Sequence, residues 1–180
     1  DEQLASAKIL GVKDVRFLPF EDGGMYDEVA LRIEIAKVIA EIKPDVVIGP
    51  DHKLYPESHP DHLRVGEAVS KAYFMCSNVN MMKSVGATQI AKPTVLAYYF
   101  TGKPNRFVKI TKKDFEKTKA AYACFVSQCP PPDNGKSLML YMRLKVRLNG
   151  LRSFHIRADA FRVMNNMHIH CCGEAEDTAI

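Results

Sequence analysis

The chain has 180 residues, enough for a domain with an ordinary hydrophobic core. Hydrophobic residues make up 47% of it and charged residues 26%, and its net charge of +4 comes from scattered lysines rather than an arginine-rich run. These features argue against nucleic-acid binding, and no apolar run approaches the ~20 residues that an integral membrane segment needs.

The cysteines and the first residues bear on where the protein works. The five cysteines lie at positions 76, 124, 129, 171 and 172 and include no CxxC pair. Such an irregular set favours a reducing compartment over a disulfide framework, so we expect a cytoplasmic protein. The chain begins in helical register at Asp1 without an initiator methionine, and we expect a segment upstream of it to be missing.

The first half of the chain alternates helices with strands. A helix is predicted over residues 2–10, ended by Gly11, and the amphipathic stretch "EVALRIEIAKVIAEIK" predicts a second helix. Between them, "DVRFLPF" predicts a short strand that leads into the glycine-rich turn "EDGGM". The continuous apolar run "DVVIGP" predicts a strand covered on both faces.

The second half continues the alternation. Helices are predicted in "HLRVGEAVSKAYFMC", "KKDFEKTKAAYACFVSQ" and "KSLMLYMRLKVRLNG", and strands in "TVLAYYF" and "FVKI". This order predicts an α/β protein with a Rossmann-like, mostly parallel sheet and helices on both faces. We expect residues 1–180 to form a single domain whose functional residues lie at the carboxyl ends of its strands.

The stretch "SHPDH" follows a predicted strand and admits two interpretations. In the structural one, Pro60 holds His59 extended and Asp61 caps a helix that begins near His62. In the functional one, His62 binds a metal ion and Asp61 hydrogen-bonds a ring nitrogen of His59. A catalytic zinc ion needs about three protein ligands and a water, so the other ligands must come from outside this segment.

The remaining histidines carry weaker signals. In the tail "HIHCC", His168 and His170 would share one face of a strand beside Cys171 and Cys172, as a metal site requires. We favour an ordinary strand end with small, half-buried cysteines. We interpret the isolated His52 and His155 as surface residues.

Taken together, these segments resemble the LmbE-like zinc deacetylases, the family that includes the N-acetylglucosaminyl-phosphatidylinositol de-N-acetylases. The resemblance runs in order along most of the chain, through "LASAKILGV", "EDGGM", "IKPDVVIGPD", "SHPDH", "VGEAV", "LAYYF", "KTKAAYACFVSQ" and "RADAFRV". The last segment is similar to the family's Ala-Glu-Ala-Phe element, with Asp159 in place of the glutamate.

The resemblance implies roles for individual residues. His62 would be the third zinc ligand, His59 the catalytic imidazole, and Asp61 the residue that orients it. Asp22 and Met25 would contact the substrate. The other zinc ligands, and the carboxylate that activates water, belong to a His-Pro-Asp-Asp motif that this chain lacks, and we expect them upstream of Asp1.

The implied reaction is zinc-dependent hydrolysis of an N-acetyl amide on a small amino-sugar conjugate, which releases acetate. The resemblance leaves room for a homo-oligomer. The alternative is a catalytically inactive remnant or binding domain of the same fold. A nucleotide-binding domain is disfavoured because neither GxGxxG nor GxxxxGK[ST] occurs in the chain.

The resemblance also makes "DVRFL" the third strand and "DVVIG" the fourth of a sheet ordered 3-2-1-4-5, in which these two are not neighbours. A chain that starts at Asp1 would then lack both central strands. We therefore expect it to bind no catalytic zinc and to form no well-ordered soluble monomer by itself, unless the two strands pair directly.

Overall fold

The computed structural model describes residues 1–170, which fall into two compact units. One unit contains residues 1–17 and 107–159, and the other contains residues 18–106 and the chain from residue 160 onward. The single domain expected over the whole chain stays a prediction, since compact units can belong to one domain. Within residues 1–170, no helix combines the length and the apolar character needed to cross a lipid bilayer.

The chain forms six α-helices and four strands within residues 1–170. The helices are α1 (Glu2–Leu10), α2 (Glu28–Ile42), α3 (Pro60–Met75), α4 (Val79–Ser84), α5 (Lys112–Tyr122) and α6 (Lys136–Arg152), with a short 3-10 helix at Val126–Gln128. The strands are β1 (Val46–Pro50), β2 (Val95–Tyr99), β3 (Arg106–Lys109) and β4 (Ala158–Met164). Gly11 ends α1 in the left-handed conformation, with φ of 82°, as predicted.

The four strands form one sheet in the order β1-β2-β4-β3. Strand β1 runs parallel to β2, with Val46 opposite Val95, whereas β4 runs antiparallel to β2, with Arg162 opposite Tyr98. The α/β class is therefore confirmed, but the sheet is mixed rather than mostly parallel. The difference comes from β4, which lies in a part of the chain whose pattern predicted no element.

The core of the second unit lies between the sheet and helices α2 and α3. Its fully buried members include Ala36 of α2, Ala72 and Tyr73 of α3, and Leu96 of β2. The Tyr73 hydroxyl donates to the carbonyl of Pro93 over 2.9 Å, so the one polar atom of this large side chain is satisfied. This packing fixes the start of α3, where "SHPDH" lies, against the end of β1.

The first unit is organised around α1 and α5, which pack against each other. A reciprocal pair of hydrogen bonds between Thr111 and Asp114 caps the start of α5. The carboxylate of Glu2 accepts from the backbone and the hydroxyl of Ser127, and Lys117 donates to the carbonyl of Leu10 over 2.9 Å. These contacts fasten both ends of α1 to the segments that follow β3.

Two predicted strand features are wrong. The segment "DVRFL" forms no strand, and so it makes no pairing with β1; Phe17 is 68% exposed and Arg16 bonds locally to Asp14. Strand β1 is covered on one face only, since Val47 is 9% exposed but Ile48 is 55% exposed. Within residues 1–170, the edge of β1 away from β2 has no strand partner to form a ladder.

The tail also differs from its predicted form. His168 and His170 lie in turns after β4 rather than on a strand. The Asn165 backbone donates to His168 Nδ1 over 3.3 Å, and the His170 ring stacks on Phe74 at 5.6 Å. Cys171 and Cys172 lie outside the described residues.

Candidate functional site

The candidate site lies at the carboxyl ends of β1 and β2, where α/β sheets build their binding sites. Asp51 follows β1 directly, and its backbone N–H donates to the carbonyl of Tyr99, the last residue of β2, over 2.9 Å. The loop that begins at Asp51 leads straight into α3. The first turn of this helix carries the histidines of "SHPDH".

The start of α3 is fixed by Pro60. His59 is extended, with φ of −70° and ψ of 118°, as predicted from the proline that follows it, and Pro60 occupies the first helical position. The helix therefore begins two residues earlier than His62, where the sequence placed its start. Because it lies within the first turn, Asp61 is not the capping residue, and this prediction is wrong.

Asp61 is bound instead to the glycine-rich turn. Its two carboxylate oxygens accept the backbone N–H groups of Gly23 and Gly24 over 2.7 and 3.0 Å. The bond from Gly23 is the main reason why the pKa of Asp61 falls to about 2, against the opposing effect of burial. The nearest approach of Asp61 to His59 Nδ1 is 3.8 Å, which exceeds hydrogen-bond distance, so Asp61 does not orient His59 directly in this structure.

His62 is held by a residue that the sequence reasoning missed. Its Nδ1 lies 2.8 Å from Glu57 Oε2, while Oε1 of the same carboxylate accepts the N–H groups of Ser58 and His59, each over 2.8 Å. The bond with His62 is the largest cause that lowers the pKa of Glu57 to about 2. With Nδ1 engaged in this way, Nε2 of His62 is the ring nitrogen left for a ligand.

The two imidazoles of the motif form a stacked pair. The ring centroids of His59 and His62 are 4.7 Å apart, with an angle of 28° between the ring planes, and Phe100 lies 5.9 Å beyond His62. The side chains of His59 and His62 are 50% and 41% exposed, so both rings remain accessible to a ligand from solvent.

Three side chains come close enough to share a metal ion. One donor atom each from Asp22, His59 and Asp61 lies within 4.8 Å of the others. His62, the predicted ligand, is not a member of this group. Met25, predicted to contact substrate, lies on the same turn as Asp22 and is 90% exposed.

The turn that carries Asp22 is fixed by close packing as well as by Asp61. Gly24 has φ of +73°, and a Cβ on it would lie 2.7 Å from Cβ of Pro60, so only glycine fits there. The guanidinium of Arg64 donates to the Gly24 carbonyl. Burial, with a smaller effect from the neighbouring Asp61 carboxylate, raises the pKa of the Tyr26 hydroxyl to about 12.

A buried ion pair supports the floor of the site. Arg162 of β4 binds both carboxylate oxygens of Asp51, over 2.9 and 2.5 Å, and lies over the ring of Tyr98 at 4.4 Å. Burial acts to raise the pKa of Asp51, but the hydrogen bonds from Arg162, Thr101 and the Lys53 backbone, together with the charge of Arg162, lower that pKa. Arg162 belongs to "RADAFRV", which the sequence analysis quoted without giving the arginine a role.

A cavity of about 380 Å³ opens beside this ion pair. Leu54 and Gly102 line it, as does Tyr55, whose side chain is 94% exposed. Leu54 accepts from the backbone of Glu57 over 2.9 Å, so the cavity and the residue that holds His62 share one loop.

Comparison with known proteins agrees with this geometry. Residues 1–73 match the PIG-L family model, described as GlcNAc-PI de-N-acetylase. Over 176 residues, 96% of the chain, it is 32% identical to the diacetylchitobiose deacetylase of Thermococcus kodakarensis. The chain is therefore similar to the PIG-L, or LmbE-like, family. It spans 64% of that relative's length, which is less than two thirds.

Solved structures of similar proteins show the same fold. One is the N,N'-diacetylchitobiose deacetylase from Pyrococcus horikoshii complexed with its inhibitor MPG, with a TM-score of 0.83 and 27% identity over 96% of this chain and 65% of that one. Another is a conserved protein from Thermus thermophilus, with a TM-score of 0.70 and 24% identity over 89% of this chain and 69% of that one. The second likeness concerns the fold alone. The chain thus shares its α/β architecture with both.

Proposed function

We propose that the chain carries the histidine-bearing part of a zinc-dependent N-deacetylase site, which hydrolyses the N-acetyl amide of an amino-sugar conjugate and releases acetate. The observation that carries the proposal is the contact of His62 Nδ1 with Glu57 at 2.8 Å, beside His59 at the carboxyl end of the sheet. The two diacetylchitobiose deacetylases to which the chain is similar support the substrate class.

The chemistry of the side chains fits zinc. Zinc takes imidazole nitrogen and carboxylate oxygen ligands, and metal-binding histidines commonly engage their second nitrogen with a carboxylate, as His62 does with Glu57. We therefore assign His62 Nε2 as the ligand that this segment would contribute. Asp61 is less suited, because both of its oxygens already accept backbone N–H groups.

Each of the site residues discussed above then has a defined role in the reaction. Bound zinc would polarise the acetyl carbonyl and lower the pKa of a bound water towards ~7. Protonated His59 would donate a hydrogen bond to the oxyanion that forms as water adds to the acetyl carbon. Asp22 would accept a hydrogen bond from a sugar hydroxyl, on the turn that Asp61 holds in place. Breakage of the C–N bond yields acetate and the free amine.

The test compares two histidine variants of the full-length protein for zinc content and for release of acetate from N,N'-diacetylchitobiose. We expect His62→Ala to lose zinc and activity together. We expect His59→Ala to keep zinc but to lower kcat by ~100-fold, as removal of one oxyanion donor does. His155→Ala, which removes an exposed imidazole in the other unit, is the matched control and should change neither quantity.

Two outcomes would contradict the proposal. Loss of zinc in His59→Ala and its retention in His62→Ala would place the metal in the group formed by Asp22, His59 and Asp61. If the unmodified protein binds the sugar but neither zinc nor acetate release is detected, the alternative of a non-catalytic binding domain is favoured.

A further inference from the structure

The first unit contains a cavity that takes no part in the proposed reaction. Its volume is about 440 Å³, within the range of small-molecule sites. Helices α5 and α6 supply most of its lining. The charged lining residues are Lys112, Glu116, Lys119, Lys136, Arg143 and Arg157.

The two helices present the same pattern to this cavity. On α5 its lining residues are Lys112, Phe115, Glu116 and Lys119, and on α6 they are Lys136, Met139, Leu140 and Arg143. Both sets have the spacing i, i+3, i+4, i+7, which puts each set on one helical face. Each face thus carries cations at both ends. Phe115 and Glu116 lie between them on α5, and Met139 and Leu140 lie between them on α6.

The charges in the cavity are unbalanced. Five cationic side chains line it against one carboxylate, and that carboxylate, Glu116, is 3.0 Å from the Lys119 ammonium. Lys112, Lys136, Arg143 and Arg157 have no ion-pair partner anywhere in residues 1–170. Like charges brought together repel unless an anion lies between them, so the lining itself selects a ligand of negative charge.

Two contacts fix the backbone of one of these cationic residues, Arg157, while the lysines and Arg143 are exposed side chains on the two helices. The carbonyl of Arg157 accepts from Ile110 over 3.0 Å, and a Cβ on Gly150 of α6 would lie 2.8 Å from the Arg157 backbone nitrogen. The backbone of Arg157 is therefore clamped against α6. The amino end of α6 is not the source of positive potential, because Asp133 already accepts from the backbone of Ser137.

We propose that this cavity binds a small organic phosphate, that is, a dianionic phosphate attached to an apolar or aromatic group. The unpaired lysines and the planar guanidinium groups of Arg143 and Arg157 match phosphate oxygens. Phe115, which is 8% exposed, and Met139 match the organic part. The proposal is independent of the deacetylase site, since none of its residues belongs to that site.

The test measures binding of phenyl phosphate and of inorganic phosphate to the purified protein by calorimetry. We expect both to bind, with phenyl phosphate the tighter because it also covers the apolar lining. The double variant Lys136→Gln/Arg143→Gln should weaken both by at least ~10-fold, since charged hydrogen bonds contribute ~1.5–3 kcal/mol each. Lys113→Gln/Arg147→Gln makes the same charge change outside the cavity, with one residue on α5 and one on α6, and should weaken binding by less than ~2-fold.

Several results would overturn this assignment. Equal weakening by the two double variants would mean that a diffuse positive field attracts the anion. If phenyl phosphate and inorganic phosphate bound with equal affinity, and Leu140→Ser left both affinities unchanged, the ligand would need no organic group. Absence of binding at millimolar concentration, or co-sedimentation with phosphatidic-acid vesicles without binding of soluble phenyl phosphate, would exclude a soluble organic phosphate. Thermal unfolding of each variant verifies that the helices remain folded.

Discussion

At the scale of single residues, Glu57 connects the backbone to the candidate ligand. One of its oxygens accepts the N–H groups just before α3, and the other contacts the imidazole of His62. An alanine at position 57 would release both the loop and the ring. A glutamine would keep the shape of the side chain while removing its charge.

The first prediction concerns the tautomer of neutral His62. Contact with Glu57 favours the form protonated on Nδ1, so 15N NMR of the ring should show this form in the unmodified protein and a mixture of both forms in Glu57→Ala. Glu57→Gln should retain the Nδ1-protonated form, because its amide oxygen still accepts a hydrogen bond. The ring signals of His155 serve as the internal control, and an unchanged His62 spectrum in Glu57→Ala would rule out the positioning role.

The second prediction concerns acid stability. The pKa of Asp61 is about 2 in the folded protein and ~3.9 in an unfolded chain. The contribution of this carboxylate to the free energy of unfolding is therefore complete above pH ~4 and is lost as pH falls towards 2. Allowing for its 17% exposure, we expect Asp61→Asn to remove about 1–2 kcal/mol of this pH-dependent stability.

Urea unfolding at pH 6 and pH 2.5 measures the difference. In Asp61→Asn, the free energy of unfolding should be lower than in the parent at pH 6 and should fall less on acidification. Asp45→Asn is the control, because the Asp45 carboxylate makes no hydrogen bond in the described chain. Its loss should leave the change in the free energy of unfolding between pH 6 and pH 2.5 as it is in the parent. An equally steep loss in Asp61→Asn would show that other groups dominate acid unfolding.

Only part of the site could be predicted at this scale. The extended His59 followed from the covalent restriction that Pro60 imposes on its neighbour. The partners of Asp61 are 37 and 38 residues away along the chain, so no local pattern reports them. Glu57 is close in sequence to His62, but loop residues carry no periodicity that would tell its orientation.

At the scale of elements, the glycine-rich turn and α3 fit together through one glycine. Gly24 and Gly86 share nearly the same backbone angle, φ of +73° and +74°, but a Cβ on Gly24 meets Pro60 whereas one on Gly86 meets nothing within 4 Å. Alanine variants at these two positions therefore separate the stability lost through backbone conformation from the stability lost through a steric clash.

The third prediction uses this pair. Gly86→Ala should cost roughly 1–2 kcal/mol, the usual penalty for a side chain in the left-handed region. Gly24→Ala should cost a further ~1–3 kcal/mol, since Pro60 begins α3 and cannot yield without moving the helix. Chemical denaturation of both variants checks this. Equal costs would mean that the turn moves away from α3 without penalty.

Elements with strong periodicity were the ones predicted correctly. Helices α2 and α3 have their buried residues at helical spacing, and β2 is apolar enough to be identified alone. "DVRFL" has the composition of a strand, but a strand exists only with a partner to complete its hydrogen bonds. Whether such a partner is present is not encoded in the segment itself, and for this reason the prediction failed.

At the scale of the whole molecule, the ion pair between Asp51 and Arg162 joins the end of β1 to β4, 111 residues later. Asp51 is 3% exposed and Arg162 is 12% exposed, so water cannot replace either partner. The antiparallel neighbour of β2 is thus fixed by a charge interaction as well as by the ladder.

The fourth prediction is that Arg162→Met costs about 3–5 kcal/mol, because it leaves the Asp51 carboxylate buried and uncompensated. The double variant Asp51→Asn/Arg162→Met should cost less than Arg162→Met alone. Lys71→Met breaks an exposed pair with Glu67 at 2.6 Å and should cost no more than about 0.5 kcal/mol. Urea unfolding distinguishes the three. A double variant less stable than Arg162→Met would refute the buried-charge explanation.

The anchoring of the glycine-rich turn by Asp61 also bears on the order of events during folding. The contact between Gly23 and Asp61 closes a segment 38 residues long that contains all of α2 and β1. Such a contact forms only after those elements have docked, because the entropy lost in closing a long loop is offset only by the contacts made inside it. The rim of the site is thus among the last parts of the native structure to appear, and damage there should shorten the lifetime of the folded protein without slowing its formation.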